Sequence, residues 1–126
     1  MTETPKDIVR RCIAEVFNMG NLAAVDDLCA PLLAAEAGLW VAPFREAFPD
    51  VVMQEVVLVA EGQHVVGHFT CSGTHLGPWR GHPPTGRRFE GVDEVYFFCV
   101  LDGRIVDMWS LEDTVERLIQ LGLATP

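Results

Sequence analysis

One stretch of the sequence gathers many of the side chains that could do chemistry: THLGPWRGHPPTGRR, residues 74–88. It contains two histidines and three arginines, yet residues 62–89 contain no aspartate or glutamate. Zinc sites combine histidine with cysteine or carboxylate ligands at characteristic spacings, and that pattern is missing. We therefore predict no metal site. The arginines either steer an anionic substrate toward a pocket or form solvated surface.

Proton transfer is the chemistry that the remaining polar residues favour, with Glu94 and His75 as the leading candidates. A carboxylate placed among apolar side chains has a raised pKa and can act as an acid or a base near neutral pH. Tyr96, the only tyrosine, could donate a hydrogen bond to an enolate or carbonyl oxygen. Both Glu94 and Tyr96 have a structural alternative: Glu94 at the rim of a pocket, and Tyr96 in the core with its hydroxyl satisfied.

A group of helices must support these side chains. Residues 4–18 predict a helix because Thr4 can cap it, Pro5 suits its first position, and apolar residues recur at helical spacing. Gly20 is suited to end it in the left-handed conformation. Further helices are expected over residues 22–30, 36–48 and 111–122.

A sheet is predicted between the third helix and the last. The β-rich runs cover residues 51–62, 63–75, 87–101 and 103–110, and turns at Glu61-Gly62 and Asp102-Gly103 indicate antiparallel hairpins. Along the second run, the more apolar set of alternate side chains ends in His75 and should face a pocket. Helices followed by antiparallel hairpins indicate an α+β fold, with a curved sheet wrapped over helices.

Composition limits the classes of function. The chain has 126 residues, a net charge of −9 and a single lysine, which argues against binding to nucleic acid. Its length fits one domain over residues 1–126. Neither a signal peptide nor a membrane-spanning run is evident, so we expect no membrane association and a cytoplasmic location. The four cysteines are far apart and are expected to pack as small apolar residues.

Several motifs, in order, cover nearly the whole chain: FNMGNLAAVDDL, AFPD, EGQHVVGHFTCSGTHLG, GHPPTGRRFE, DGRIVDMW and LIQLG. Together they resemble the SnoaL-like polyketide cyclases of the NTF2-like superfamily, to which ketosteroid isomerase also belongs. The resemblance implies a cone-shaped α+β barrel that is open at one end, with N-terminal helices packed against a mostly antiparallel sheet and a C-terminal helix. It further implies an apolar pocket for a small-molecule substrate, no cofactor, and often a homodimer across the sheet.

The resemblance also assigns side chains to the pocket. The inward sets would be Glu94, Tyr96, Phe98 and Val100 on the third run, and Val106, Met108 and Ser110 on the last. The opposite assignment stays open because the alternate residues are equally apolar, and a bulge near Gly91 could shift the register. Trp79 is expected to cover the mouth. Expected pocket-wall or core residues are Phe17, Trp40, Phe44, Phe69, Trp79, Phe98 and Met108.

One position departs from the family's pattern. In the anthracycline-type cyclases, the acid is an aspartate directly after the tryptophan of the motif that reads DGRIVDMW here, and a histidine on the preceding strand assists it. Ser110 stands at the aspartate's position, and the histidine's position falls near Tyr96. A serine hydroxyl can donate or accept a hydrogen bond but cannot act as a carboxylic acid. Ser110 and Tyr96 could orient a ligand carbonyl without proton transfer.

Three functions follow from these considerations. The first is a cofactor-independent cyclase or isomerase that acts on an apolar, carbonyl-rich metabolite, with a non-standard acid among Glu94, Tyr96, His75 and Ser110. The second is a non-catalytic binding protein that kept the pocket and lost the acid. The third is a dimeric interaction protein, for which a filled cone is expected in place of an open cavity.

Overall fold

The computed structural model describes residues 3–126. The helices are α1 (Pro5–Arg11), a π-helical continuation of it (Cys12–Asn18), α2 (Ala24–Leu28), α3 (Pro31–Ala47) and α4 (Thr114–Gln120). The strands are β1 (Val52–Glu61), β2 (His64–Thr74), β3 (Arg88–Leu101) and β4 (Arg104–Glu112). They form an antiparallel sheet in the order β1-β2-β3-β4, which confirms the predicted α+β fold.

Local sequence signals account for the start of α1 and for two turns. Thr4 and Asp7 form a capping box, in which the Asp7 amide donates to Thr4 Oγ1 at 3.2 Å and the Thr4 amide donates to Asp7 Oδ2 at 3.0 Å. Asp102 and Gly103 both have positive φ, 50° and 77°, as a two-residue hairpin turn requires. Gly62 opens the other predicted hairpin turn with a φ of 58°.

The largest differences from the predicted helix boundaries are at the starts of α3 and α4. α3 begins at Pro31, before the predicted residue 36, because Ala30 is extended and Pro31 takes the first helical position. α4 begins at Thr114, after the predicted residue 111, because β4 continues to Glu112. Asp113 then caps α4, accepting a hydrogen bond from the Glu116 amide at 3.1 Å.

The helices cover one face of the sheet, and the hydrophobic core lies between the helices and that face. On β2, Val65, Phe69 and Cys71 are at most 1% exposed, whereas His64 is exposed, as the alternation predicts. Cys12, Cys29 and Cys71 are buried, and these three cysteines are free thiols in the described chain. Within residues 3–126, no helix has the length and apolar character needed to cross a bilayer.

Two bulges determine which residues face inward. Around Gly91, whose φ is 62°, the register between β2 and β3 shifts between Cys71 and Gly73, and Glu94 and Tyr96 are buried beyond it. On β4 the prediction that Val106 faces inward is wrong. Asp107 pairs with Cys99 but Ile105 pairs with Val100, so Val106 is an extra residue in the ladder, 36% exposed, and Ile105 is buried in its place.

Candidate active site

A cavity of about 370 Å³ lies between α3 and the inner face of the sheet. Its size falls within the usual range for ligand pockets, and its walls are largely apolar. Glu94 and Glu112 contribute carboxylates, and Tyr96 contributes a hydroxyl. The aromatic and aliphatic lining includes Phe17, Leu39, Trp40, Phe44, Met53 and Trp79. The cavity is open, which is contrary to what a purely structural interaction protein with a filled cone would show.

The segment that covers one side of the cavity is a tight turn. The Trp79 amide donates to the His82 carbonyl at 3.0 Å, and the His82 amide donates back to the Trp79 carbonyl at 2.8 Å. Arg80 and Gly81 between them both have positive φ. This turn directs the Trp79 ring inward against Phe48, with ring centroids 5.4 Å apart. Arg80, whose guanidinium lies 5.2 Å from the Trp79 ring centroid, also lines the cavity.

Glu94 lies at the centre of a buried polar network. Its Oε1 accepts a hydrogen bond from the Tyr96 hydroxyl at 3.0 Å, and its Oε2 accepts one from Nη2 of Arg117. Burial raises the pKa of Glu94, and the guanidinium of Arg117 opposes that shift. Burial and the neighbouring Glu94 carboxylate raise the pKa of the Tyr96 phenol, so Tyr96 is a hydrogen-bond donor here and not a phenolate.

Arg117 reaches this network from α4 and is completely buried. Aromatic rings surround its guanidinium: the Phe89 centroid lies 4.7 Å away and the Phe44 centroid 5.2 Å away. Its Nη1 is 3.5 Å from Oε2 of Glu112, but neither Nη1 nor Nε has a hydrogen-bond partner within residues 3–126. Two carboxylates, those of Glu94 and Glu112, therefore share one guanidinium.

The structure brings together six of the predicted site residues. Glu94, Tyr96, Phe17, Trp40, Phe44 and Trp79 line the cavity. Phe69 and Phe98 are buried beside Tyr96, with centroids 5.8 and 5.9 Å from its ring, and form a layer behind the cavity wall. Met108 packs against the core, opposite Phe98 on the neighbouring strand.

His75 lies away from the cavity, in the connection between β2 and β3. Its Nδ1 accepts a hydrogen bond from the Thr85 amide at 3.1 Å, and its ring packs against Phe48 at 5.5 Å. Burial lowers the pKa of His75, and Nε2 has no hydrogen-bond partner among the described residues. These contacts hold the long connection in place, and His75 is not among the residues that line the cavity.

Ser110 pairs with Tyr96 across β3 and β4, so the two residues share the inner face of the sheet. Its side chain is nevertheless exposed, beyond the residues that line the cavity. The hydroxyl of Tyr96 is directed to Glu94. The predicted polar pair of Ser110 and Tyr96 is therefore a pair in the strand ladder, and the two side chains have different surroundings.

Two charged residues of the network around Glu94 were not predicted, namely Glu112 and Arg117. Glu112 pairs with Glu94 on the inner face, and alternation from Ser110 along β4 would have indicated it. Arg117 carried a weaker signal: it follows a capping aspartate by four residues, so helical geometry returns it toward the end of the preceding strand. Its burial depends on the packing of α4 against β3.

Other chemistries have less support in this geometry. Burial raises the pKa of the Cys71 thiol, so this cysteine beside Glu94 is not an activated nucleophile. Among residues 3–126, no three histidine, cysteine, aspartate or glutamate side chains come together as a metal-binding group. Two arginines of residues 74–88 have different surroundings. Arg80 lines the cavity, while Arg88 is exposed and pairs with Asp50 and Glu90.

Comparison with known proteins identifies the family. The sequence model of the SnoaL-like polyketide cyclase family matches residues 7–121 of this chain. The aklanonic acid methyl ester cyclase DauD of Streptomyces sp. (strain C5) is 29% identical, over 95% of this chain and 73% of its own. The nogalonic acid methyl ester cyclase of Streptomyces nogalater is also 29% identical, over 87% of this chain and 92% of its own.

A solved structure agrees with these sequence relatives. Wild-type IdmH from Streptomyces antibioticus superimposes with a TM-score of 0.80 at 32% identity, covering 95% of this chain and 99% of IdmH. The family model, the sequence relatives and the fold all point the same way, and this chain belongs to the SnoaL-like polyketide cyclase family.

Proposed function

We propose that this protein is a cofactor-independent cyclase that closes a ring in an apolar, carbonyl-rich small molecule of the polyketide type. The observation that carries the proposal is the open, mainly apolar cavity of about 370 Å³ with carboxylates in its wall. An apolar wall binds the hydrocarbon part of such a molecule, and a carboxylate in that setting can move a proton between carbon and oxygen. The relatives named above are cyclases of aklanonic acid methyl ester and nogalonic acid methyl ester, and the family is that of polyketide cyclases, which supports this substrate class here.

The test uses the two esters that the relatives are named for. Aklanonic acid methyl ester and nogalonic acid methyl ester are incubated with the purified protein, and the products are followed by chromatography, absorbance spectrum and NMR, because ring closure leaves the mass unchanged. We expect a new product from at least one ester, formed at a rate proportional to the protein concentration. Binding of both esters without conversion of either would contradict the proposed activity.

A second function is favoured by one observation. Ser110 occupies the position where the resemblance places the family's aspartate, which suits a binding protein that has lost its acid. Tight binding without turnover would support this candidate. Ser110→Asp separates the two functions. If the protein only binds its ligand because it lacks the family's carboxylate, this variant should gain turnover. If the protein is already a cyclase, the variant should convert the substrate no faster than the parent.

We also propose a homodimer formed through the outer face of the sheet. Trp109 and Leu111 on β4 are 51% and 64% exposed, and Val59 on β1 is 54% exposed, which leaves apolar side chains on this face. Trp109 stacks on Phe97 at 4.1 Å and gives the face a flat aromatic centre. Light scattering should give twice the chain mass for the parent, and Trp109→Glu should halve it. The cytoplasmic location stays a prediction.

A further inference from the structure

The two carboxylates in the cavity wall differ in how much of their hydrogen-bonding capacity is already used. Glu94 is 2% exposed, and its two oxygens accept hydrogen bonds from Tyr96 and Arg117. The side chain of Glu112 is 29% exposed. Its contacts lie at the limit of hydrogen bonding, with Oε2 3.5 Å from Nη1 of Arg117 and Oε1 3.5 Å from Oγ1 of Thr114. Glu112 is thus the carboxylate that a bound molecule can reach.

The position of Glu112 on β4 supports the same conclusion. It lies two residues beyond Ser110 on the inner face, because Ser110 pairs with Tyr96 and Glu112 pairs with Glu94. Two residues of strand correspond to about 7 Å. Ser110 is exposed outside the cavity, whereas Glu112 is part of its wall. A carboxylate is therefore present on the strand and face where the family's aspartate is expected, displaced along the strand.

We propose that Glu112 is the general base of this cavity and takes a proton from a carbon next to a substrate carbonyl. The inference deepens the proposed cyclase function and rests on it for the identity of the substrate. Glu94 and Arg117 act as positioning residues: Arg117 holds both carboxylates, and Glu94 neutralises part of its charge. The two carboxylates lie beside the same guanidinium in the wall of an apolar cavity, which holds them close to each other.

The reaction balances without any other reagent. The proton leaves the carbon for a carboxylate oxygen of Glu112, and the electron pair of the broken C–H bond forms an enolate. The enolate carbon attacks a second carbonyl carbon of the same molecule, which forms the new C–C bond and leaves an alkoxide. The alkoxide recovers the proton from the carboxylic acid of Glu112, so the residue returns to its starting state and nothing is oxidised or reduced.

A probe that needs only a base in an apolar pocket tests this role independently of the natural substrate. In 5-nitrobenzisoxazole, loss of the ring C–H proton breaks the N–O bond and releases the coloured 2-cyano-4-nitrophenolate. We expect the parent protein to accelerate this elimination beyond acetate at the same carboxylate concentration. Glu112→Gln should lower the rate constant by about 100-fold, a typical contribution of a positioned base. Elimination no faster than with acetate would overturn the proposal.

Two further variants keep the test specific. Asp107→Asn removes a carboxylate from the same strand but from the outer face, where Asp107 pairs with Cys99, and should keep the parental rate. Glu112→Ala leaves a gap at the base, so added formate should restore elimination in this variant. A parental rate in Glu112→Gln, or no rescue by formate in a folded Glu112→Ala, would exclude Glu112 as the base.

The same variants on the two polyketide esters separate this proposal from the proposed function. We expect Glu112→Gln to lower kcat strongly and to change KM little, because the residue acts in the transition state. If neither ester is converted but the probe reaction depends on Glu112, the substrate assignment fails and the base stands. If Glu112→Gln converts an ester at the parental rate, the base assignment fails and the cyclase stands.

Discussion

Glu94 and Arg117 form an ion pair in the interior of the protein, with only 2% and 0% of their side chains exposed. The pair joins β3 to α4, and Glu94 is itself part of the cavity wall. A buried ion pair is costly to break on one side, because the remaining charge is left without a partner in a medium of low polarity. The pair therefore links the stability of the C-terminal helix to the integrity of the site.

The first prediction concerns the stability of this pair. Arg117→Met should lower the free energy of unfolding by about 3–5 kcal/mol, because the Glu94 carboxylate stays buried without its guanidinium. The double variant Glu94→Met with Arg117→Met should recover part of that loss, since neither charge is then left alone. Urea unfolding followed by circular dichroism measures all three values.

A matched control exists on the surface. Arg10 and Glu55 form a bidentate pair at 3.0 Å, with side chains 49% and 35% exposed. Arg10→Met should lower the free energy of unfolding far less than Arg117→Met does, because water screens exposed pairs. Equal losses in Arg10→Met and Arg117→Met would contradict the view that burial makes the Glu94–Arg117 pair important.

The sequence predicts the parts of this molecule that depend on short-range rules. The cap at Thr4, the turn at Asp102-Gly103 and the alternation along β2 each depend on residues close together in the chain. The prediction that Val106 faces inward was wrong because Ile105 and Val106 are equally apolar. Only a bulge in the pairing with β3 decides which of the two faces inward. No local pattern encodes that bulge.

The candidate site was predicted only where its residues follow from a pattern within one strand. Glu94 and Tyr96 follow from the alternation on one strand, and the structure places both in the cavity wall. Arg117 enters the site only because α4 packs against β3, which brings together residues 23 positions apart in the chain. His75 was predicted to close an inward row, and it is buried, but the row extends past the cavity into the connection.

The second prediction is a dependence of stability on pH through His75. Burial lowers the pKa of His75 in the folded protein, while the unfolded chain titrates near the ordinary value of 6.5. Below that value the unfolded chain binds a proton that the folded chain does not, so stability is complete above pH 6.5 and falls as the pH decreases. His75→Asn keeps an acceptor near the Thr85 amide and should reduce the loss of stability between neutral and mildly acidic pH.

Urea unfolding at pH 7.5 and at pH 5.5, on either side of the ordinary histidine pKa of about 6.5, measures this difference. His64→Asn is the matched variant, since His64 is exposed at the start of β2 and reports the effect of removing a surface histidine. If His75→Asn and the parent lose the same free energy of unfolding between these two pH values, a group other than His75 controls the loss.

The third prediction compares two glycines. A methyl group at Gly77 would overlap the carbonyl oxygen of Glu46, so Gly77→Ala forces the backbone to move. We expect a loss of about 1–3 kcal/mol, as for other overpacked sites. At Gly38, on the exposed side of α3, the described chain leaves the corresponding space open. Gly38→Ala should therefore stabilise the helix by about 0.5–1 kcal/mol. Thermal unfolding compares both variants, and a destabilised Gly38→Ala would contradict the helical environment assigned to it.

The last prediction concerns binding at the mouth of the cavity. Trp40 on α3 lines the cavity, is 40% exposed and packs against Phe17 with ring centroids 5.3 Å apart. A wall residue of this kind contacts the bound molecule before and during the reaction, so its loss weakens ground state and transition state alike. Trp40→Ala should raise KM about 10-fold for whichever ester is converted, with little change in kcat.

Leu32→Ala is the control on the same helix, because Leu32 is 84% exposed and lies outside the cavity wall. An unchanged KM in Trp40→Ala, or an equal rise in Leu32→Ala, would mean that the substrate does not enter past α3.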